Sequence, residues 1–309
     1  MDPQVTSIQP GGGVCMRLEL AWGHVRRGWL KLFRKGYVAR MAALRQGETN
    51  ACPFEVLDPR DVKFYRNQGG YWWKPEDDPF TWRDRLGFAR SGLTELWLIS
   101  GMFFLLAGLA AWGAMSLSGW CWPLAVAGAF LGGCIVWFFR NPTRAIPTQA
   151  GVVVSPADGK VVQIDEVEYD EFIGGPAVLI GIFLSVFNVH INRTPVAARV
   201  LGIRYRKGKF LNALRPESAR ENEQLAVRIE ARELPHRRMI VRQITGAIAR
   251  RIVCWVKPGD ELAAGEQLGM IKLGSRTELV LPREPGLQIV AQLGQHVQAG
   301  ASILAQYQG

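Results

Sequence analysis

The fold class follows from the stretch Ala177-Val178-Leu179-Ile180-Gly181-Ile182-Phe183-Leu184 and from others like it. A short run of aliphatic and aromatic side chains bounded by turn residues is typical of a buried strand. Similar runs recur between Gly, Pro and Asp turns across residues 145–309, where helical periodicity is lost. The sequence therefore predicts a mainly β, antiparallel domain here, with few helices and one of them over residues 218–223.

A weak internal repeat sharpens this prediction. Residues 256–269 and 293–304 share a pattern in which glycines alternate with apolar residues at similar spacing. Glycines in such positions form tight turns between short strands. The pattern resembles the hairpins of lipoyl- and biotinyl-type β-sandwich barrels, so a lipoyl/barrel-sandwich-like β-domain is expected.

Two uncharged runs, Leu96–Met115 and Trp120–Phe139, precede this domain. Each has about 20 residues, enough for a helix to cross the roughly 30 Å hydrocarbon core of a bilayer. Only a short turn at Ser118–Gly119 separates them, which predicts a two-helix membrane hairpin. Basic residues flank both outer ends, and the positive-inside rule therefore predicts that both ends face the cytoplasm. A shallow re-entrant hairpin is the alternative to a spanning one.

Residues 17–45 carry a helical pattern in which Leu18, Trp22, Val25 and Trp29 share one face and basic residues lie between them. A basic amphipathic helix with tryptophans on its apolar face suits a membrane surface. Packing of the same face on the protein's own core is equally compatible with the pattern. An aromatic, turn-rich stretch that includes Trp72, Trp73 and Trp82 follows, up to residue 90.

Composition narrows the partners and the compartment. The formal net charge of +10 calls for an acidic partner, either nucleic acid or an anionic membrane. The apolar runs favour the membrane, and no zinc-finger spacing or arginine-aromatic motif points to nucleic acid. Five scattered cysteines indicate a reducing compartment rather than a disulfide framework. We expect no metal site, because three ligands at a metal-binding spacing are absent from the sequence.

Three short segments in the β-domain carry side chains that could take part in catalysis. They are Ser155-Pro156-Ala157-Asp158-Gly159-Lys160, the strand end 183–195 with His190, and Leu273-Gly274-Ser275-Arg276. Taken singly, each has an ordinary structural explanation as a turn or a buried histidine. Together and in this order they resemble the phosphatidylserine decarboxylase family, and the preceding hairpin is similar to its short, membrane-anchored branch. The resemblance covers about Trp97 to Gly309 and leaves residues 1–90 unexplained.

The resemblance implies a proenzyme that cuts itself between Gly274 and Ser275 and decarboxylates phosphatidylserine to phosphatidylethanolamine. It also implies a pyruvoyl cofactor made from Ser275, an electron sink that no standard side chain offers. The Ser275 hydroxyl would attack the Gly274 carbonyl, and β-elimination from the resulting ester would lead to the pyruvoyl group. Glycine at position 274 would keep the carbonyl open and permit a strained turn.

A serine hydroxyl needs a positioned base to become a nucleophile. His190 is the expected base and the expected proton donor in decarboxylation, and Asp158 is expected to orient it in a Ser–His–Asp arrangement. The long branch of the family has a second histidine three residues on, where this chain has Arg193, so His190 would serve both steps. Arg193 and Arg276 are candidates to bind the phosphodiester or the serine carboxylate, with solvent-facing arginines as the alternative.

The predicted organisation has three parts: a basic helical N-terminal extension (1–90), a transmembrane hairpin (91–144) and a catalytic β-domain (145–309). The expected partners are an anionic phospholipid membrane, phosphatidylserine and the two chains left by cleavage, with a homo-oligomer left open. The expected location is the inner membrane, with the catalytic domain facing the cytoplasm. Two other functions compete: a non-catalytic, membrane-anchored lipoyl-like adaptor or carrier, and a metallopeptidase on a related β-fold.

Overall fold

The computed structural model describes residues 1–43, 56, 58–69, 78, 80–215, 217–247, 251–272 and 274–308. Trp72 and Trp73 of the aromatic stretch, and Leu273 beside the predicted cleavage site, lie outside the described residues. The chain divides into two compact units, one made of Met1–Phe80 with Thr143–Gly309 and the other of Thr81–Pro142. The predicted domain boundaries after residues 90 and 144 stay a prediction.

The described residues form seven α-helices. They are α1 (Val14–Phe33), α2 (Lys35–Ala43), α3 (Pro59–Tyr65), α4 (Leu93–Glu95), α5 (Gly101–Ser116), α6 (Trp122–Phe138) and α7 (Ser218–Glu221). A π-helical turn at Leu96–Ser100 joins α4 to α5. The helix predicted near residues 218–223 is present as α7. The pattern over 17–45 forms two helices, because the chain leaves helical geometry at Arg34.

The unit Thr81–Pro142 contains the apolar hairpin, which confirms the two predicted apolar helices. Arg90–Ser116 and Gly119–Phe138 are each long and apolar enough to cross a membrane, and most of their residues are not buried by protein. Gly128 of α6 lies so close to α5 that a Cβ at this position would be 3.2 Å from the carbonyl oxygen of Phe103. Small residues allow this close approach between helices in lipid, where burial of apolar surface supplies little drive.

The strands lie in the other unit, and every pairing between them is antiparallel. They are β1 (Val152–Val154), β2 (Gly159–Asp170), β3 (Gly175–Leu184), β4 (Ile191–Arg193), β5 (Ala198–Arg206), β6 (Gln224–Ala231), β7 (Arg238–Thr245), β8 (Arg251–Cys254), β9 (Glu261–Leu262), β10 (Gln267–Lys272), β11 (Ser275–Pro282), β12 (Leu287–Ile289), β13 (His296–Val297) and β14 (Ile303–Tyr307). This confirms the mainly β, antiparallel prediction, including the opening stretch as β3.

Three sheets share the strands. The largest has the order β13-β2-β3-β11-β7-β6-β5-β9, and two smaller sheets have the orders β1-β14-β12 and β4-β10-β8. β11 pairs with β3 from Ser275 to Pro282 and with β7 from Ser275 to Val280. Buried aliphatic side chains from all three sheets form one core, to which β3 contributes Ile180, Ile182 and Leu184. The position of Ser275 is therefore set by strands on both sides.

The two glycine-rich segments form the same turns in space. Gly259 and Gly265 in the first segment, and Gly294 and Gly300 in the second, have φ of 95°, 70°, 84° and 76°. Glycine adopts this left-handed region without the penalty that a Cβ brings. Each segment supplies a two-residue strand, β9 or β13, at one outer edge of the large sheet. The internal repeat in the sequence therefore corresponds to a repeat in the structure.

The repeat extends to the segments that these edge strands contact. They read Ser155-Pro156-Ala157-Asp158-Gly159-Lys160-Val161 and Thr194-Pro195-Val196-Ala197-Ala198-Arg199-Val200. The Gly300 amide donates to the first carbonyl of one segment, and the Gly265 amide donates to the first carbonyl of the other. Asp158 thus stands where the other copy has Ala197, so one copy alone carries an acid at this point.

The N-terminal segment packs on the β-strands and on α3. The Tyr205 amide donates to Asp2 Oδ2 at 2.8 Å, and the Cys254 amide donates to the Ile8 carbonyl at 2.7 Å. Helix α1 turns a face with buried charged residues toward α3, where Arg27 Nη1 donates to Asp61 Oδ2 at 2.7 Å. Ion pairs in a dry contact orient a helix because each charge requires its partner.

The Arg27–Asp61 pair provides a test of this packing. Burial raises the pKa of the Asp61 carboxyl and the Arg27 guanidinium opposes that shift, so removing Arg27 leaves a buried acid without its cation. We expect Arg27→Met to lower the free energy of unfolding by about 3–5 kcal/mol, and Arg27→Met with Asp61→Asn to recover much of it. Thermal unfolding and limited proteolysis of the full chain in detergent measure both.

The exposed Lys209–Glu221 pair supplies the control. Its side chains are 69% and 43% exposed, and Lys209→Met should cost less than about 1 kcal/mol. Equal losses for the Arg27→Met single variant and the double variant would contradict the assignment of the buried pair.

Candidate active site

Two glycines surround the peptide before β11. Gly274 has φ of 61°, in the left-handed region that favours glycine, and Ser275 begins the strand between Leu184 of β3 and Thr245 of β7. Gly246 follows β7, and a Cβ at this position would lie 2.5 Å from the Gly274 carbonyl oxygen. The backbone of residue 246 therefore approaches the Gly274–Ser275 peptide as closely as only glycine allows.

The Ser275 side chain is fully buried in a position without polar compensation. Its Oγ makes no hydrogen bond to any residue that the structure describes. A buried hydroxyl of this kind costs about 1–3 kcal/mol, and such groups in native proteins call for an explanation. The unpaired Oγ therefore makes Ser275 a candidate reactive group.

His190 meets the Gly274 backbone. It lies just before β4 and is 1% exposed. The Gly274 amide donates to His190 Nε2 at 3.0 Å, and His190 Nδ1 donates to the Asn188 carbonyl at 2.9 Å. Because an amide only donates and a carbonyl only accepts, these partners assign the neutral tautomer with its proton on Nδ1. The Nε2 lone pair therefore points at the residue that precedes Ser275.

Asp158 lies in a group of charged side chains with Arg144 and Arg193. Arg144 Nη2 donates to both of its carboxylate oxygens at 2.7 and 3.0 Å, and the Ala299 amide donates to Oδ1 at 2.8 Å. Arg193 belongs to the same group. Burial lowers the pKa of Arg193, the positive charge of Arg144 adds to this shift, and the Asp158 carboxylate opposes it. Two arginines thus lie near one carboxylate in a largely buried position.

Arg276 lies on the other face of β11. Successive side chains of a strand alternate between faces, so Ser275 and Thr277 face one way and Arg276 and Glu278 the other. Arg276 Nε donates to Glu278 Oε1 at 3.0 Å, and its guanidinium also contacts Gln163. The residue is 3% exposed, which rules out a solvent-facing arginine. The structure thus brings His190 to Gly274 and Ser275, and places Arg276 in a buried ion pair.

Asn192 is a site residue that the sequence did not single out. Its Nδ2 donates to Thr277 Oγ1 at 2.8 Å and to the Pro156 carbonyl at 3.4 Å, and Gln243 Nε2 donates to its Oδ1 at 2.9 Å. These bonds join the strand after His190, the turn before Asp158 and the strand of Ser275. The one sequence feature that could have pointed to Asn192 is its position two residues after His190. A polar residue at such a position in a strand is common, so the feature is weak.

The described residues differ in their fitness for a cofactor or a metal. Among them, no three His, Cys, Asp or Glu side chains lie together as a metal site requires. Ser275 offers an unpaired hydroxyl directly after the left-handed Gly274, on a peptide that the backbone of Gly246 approaches closely.

Comparison with known proteins shows which family the chain resembles. The family model described as phosphatidylserine decarboxylase matches residues 131–305. The chain is 54% identical to the phosphatidylserine decarboxylase proenzyme of Rhodopirellula baltica over 247 residues, which are 80% of this chain and 99% of that protein. It is 46% identical to the proenzyme of the same name from Carboxydothermus hydrogenoformans over 175 residues, 57% of this chain and 80% of that one. The chain therefore belongs to the phosphatidylserine decarboxylase family.

Proposed function

We propose that this chain is a phosphatidylserine decarboxylase proenzyme that cuts itself between Gly274 and Ser275. The observation that carries the proposal is the buried, unbonded Ser275 Oγ beside a left-handed glycine whose amide is bonded to His190. Membership in the family, with relatives named as proenzymes, supports it over an adaptor or carrier. It would convert phosphatidylserine to phosphatidylethanolamine.

The cleavage chemistry balances with one water. Ser275 Oγ attacks the Gly274 carbonyl carbon and loses its proton to His190 Nε2, and that proton passes to the Ser275 nitrogen as the C–N bond breaks. The peptide has then become an ester. Removal of the Ser275 Cα proton expels the Gly274 carboxylate from Cβ and leaves a dehydroalanine. Water hydrolyses this group, ammonia departs, and residue 275 becomes a pyruvoyl cap.

His190 fits the role of base because of its tautomer. Its Nε2 lone pair accepts from the Gly274 amide at 3.0 Å, so the base is held one peptide before the bond to be cut. Exchange of that bond for one to Ser275 Oγ is the movement that the first step needs. Intramolecular placement of nucleophile, carbonyl and base supplies most of the advantage over a free serine.

The proposed role of Asp158 in orienting His190 rests on the sequence motif. The hydrogen bonds described for Asp158 go to Arg144 and Ala299, while those described for His190 go to Asn188 and Gly274. The Asn188 carbonyl accepts from the Nδ1 side of the ring in the uncut chain. Asp158 holds Arg144 and offsets part of the positive charge around Arg193.

In the mature enzyme, residue 275 would carry the pyruvoyl group at the start of β11, between Leu184 and Thr245. That group supplies the electron sink for the pair of electrons left at Cα when CO2 departs. His190 is proposed to hold at Nε2 the proton that is returned to Cα. Arg193 is proposed to bind the carboxylate or phosphodiester, with Arg276 as the weaker candidate because its guanidinium lies on the opposite face.

The location and the finer fold are proposed on separate grounds. Basic residues before and after the hairpin favour an inner-membrane protein whose two hairpin ends, and hence whose catalytic domain, face the cytoplasm. The repeated turns at Gly259–Gly265 and Gly294–Gly300 favour a lipoyl/barrel-sandwich-like architecture. The two chains left by cleavage would stay joined, because β11 lies between β3 and β7.

Replacement of Ser275 tests the cleavage site. We expect Ser275→Ala to remain a single chain, because it lacks the nucleophile, while the natural chain yields a blocked fragment of residues 275–309. Denaturing electrophoresis with mass spectrometry measures both products. Ser7→Ala is the control, since Ser7 is also buried but lies in the N-terminal tail. An intact natural chain in purified, active protein would refute the proposal.

Replacement of His190 separates its role as a base from its role as an acceptor. The amide oxygen of His190→Gln can accept the Gly274 amide but cannot take up a proton, so we expect cleavage to slow by about 10²–10⁴-fold. Cleavage is followed by electrophoresis over time after synthesis. His296→Gln, at an exposed histidine, should cut at the natural rate. Normal maturation of His190→Gln would assign the base to another group.

Asn192 is proposed as a positioning residue, and its test compares rate with stability. Asn192→Ala leaves Thr277 Oγ1 without its donor and Gln243 Nε2 without its acceptor side chain, and we expect a loss of about 1–3 kcal/mol together with slower cleavage. Asn67→Ala is the control, because Asn67 is also fully buried but bonds to Ser7 in the N-terminal segment. Equal cleavage rates at equal loss of stability would show a purely structural role for Asn192.

A further inference from the structure

Helix α1 exposes its apolar face and buries a face rich in charge. The exposed large side chains, all more than half accessible, are Val14, Leu18, Trp22, Val25, Trp29, Leu32 and Phe33. At 3.6 residues per turn these positions fall within an arc of about 100°. The buried positions Glu19, Gly23, Arg27 and Leu30 lie on the opposite side. The helix is thus the reverse of one that packs an apolar stripe on its own core.

Ion pairs explain why this orientation is stable. Arg27 is paired with Asp61 at 2.7 Å, and Glu19 is paired with Lys63 of α3, all with side chains at most 8% exposed. Rotating α1 so that its apolar side chains face inward would break both ion pairs and would give the four charged groups no new partners. The apolar face is therefore directed outward by the contacts on the other side of the helix.

The charge around the stripe indicates its partner. Within residues 14–43 the acidic side chain is Glu19, which is buried against Lys63, whereas basic side chains occur throughout. Arg17 and Lys31 are exposed on α1, and Arg34 and Lys35 follow at its end. Two copies of this helix would bring like charges together, while an anionic bilayer would attract each basic residue near its surface.

We propose that the outward face of α1 docks in the plane of an anionic phospholipid membrane. An apolar arc of this width with a basic margin is the pattern of a helix that lies in the interface. Trp22 and Trp29 suit the headgroup level, because an indole combines an apolar ring with an N–H donor. The docking rests on the membrane location proposed above, and not on self-cleavage or decarboxylation.

Docking would fix one side of the β-domain toward the bilayer. Helix α1 and the β-strands belong to one compact unit, and the N-terminal tail bonds directly to strand residues Tyr205 and Cys254. An enzyme that acts on a headgroup gains from such a second contact, since it limits the orientations that the catalytic domain samples. The hairpin anchors the chain, and α1 orients the domain.

Photocrosslinking from lipid tests the docking in the full chain. The purified protein is reconstituted into vesicles of phosphatidylcholine with photoactivatable phosphatidylglycerol, and crosslinked peptides are mapped by mass spectrometry. We expect crosslinks from residues 14–33 as well as from the hairpin. Trp22→Gln with Trp29→Gln should reduce the α1 crosslinks by at least about tenfold, because both interfacial indoles are lost.

One control variant and one charge variant accompany this measurement. Trp82→Gln removes an exposed tryptophan outside α1 and should leave the α1 crosslinks unchanged. Arg17→Gln with Lys31→Gln should reduce them in vesicles that contain phosphatidylglycerol, because attraction to the anionic surface is weakened. Self-cleavage, followed on the same samples, should be unchanged in all these variants.

Three outcomes would overturn the inference. Crosslinks from the hairpin without any from α1 would leave the membrane anchor standing and refute the docking. In a parallel sample treated with a lysine-reactive protein crosslinker, crosslinks between the α1 helices of two copies would identify a second chain as the occupant of the face. Absence of lipid crosslinks from both segments would refute the membrane location together with the docking, while cleavage of the same sample would leave the proposed enzyme intact.

Discussion

The hydrogen bond from the Gly274 amide to His190 Nε2 joins two points that are 84 residues apart. It requires a left-handed residue at 274, a neutral imidazole at 190 and a carbonyl at 188 that holds the other ring nitrogen. Each requirement depends on the strands around it. β11 is paired on both sides from its first residue, so the peptide before Ser275 has little freedom to leave the imidazole. The candidate site is a consequence of where β11 begins.

The internal repeat provides the framework for the charged group around Asp158. Two copies of the same turns and edge strands flank the large sheet, and their connecting segments differ at Asp158 and Ala197. A carboxylate in one copy attracts Arg144, and it leaves Arg193 between a cation and an anion. Symmetry thus supplies the scaffold, and one substitution within it concentrates charge at one side.

Opposite rules govern the two ends of the described chain. In the β-domain, apolar side chains form a buried core and most buried polar groups are hydrogen-bonded, with Ser275 Oγ among the exceptions. In α1 the buried side carries ion pairs and the apolar side is exposed. Burial of apolar groups stabilises a fold by removing them from water, and large exposed apolar patches are rare on proteins that meet only water. This contrast is the basis of the docking proposed for α1.

The sequence alone determined the strand-rich domain, the two apolar helices and the repeat, because local periodicity and glycine turns are properties of neighbouring residues. The order of its motifs indicated the family, and the cleavage proposed at Gly274–Ser275 rests on that resemblance. The sequence did not determine which face of α1 is buried, because that face is set by the ion pairs with Asp61 and Lys63. Nor did it reveal Asn192, Gly246 or the Arg144–Asp158 pair. Those contacts join residues distant along the chain, and only the pairing of strands brings them together.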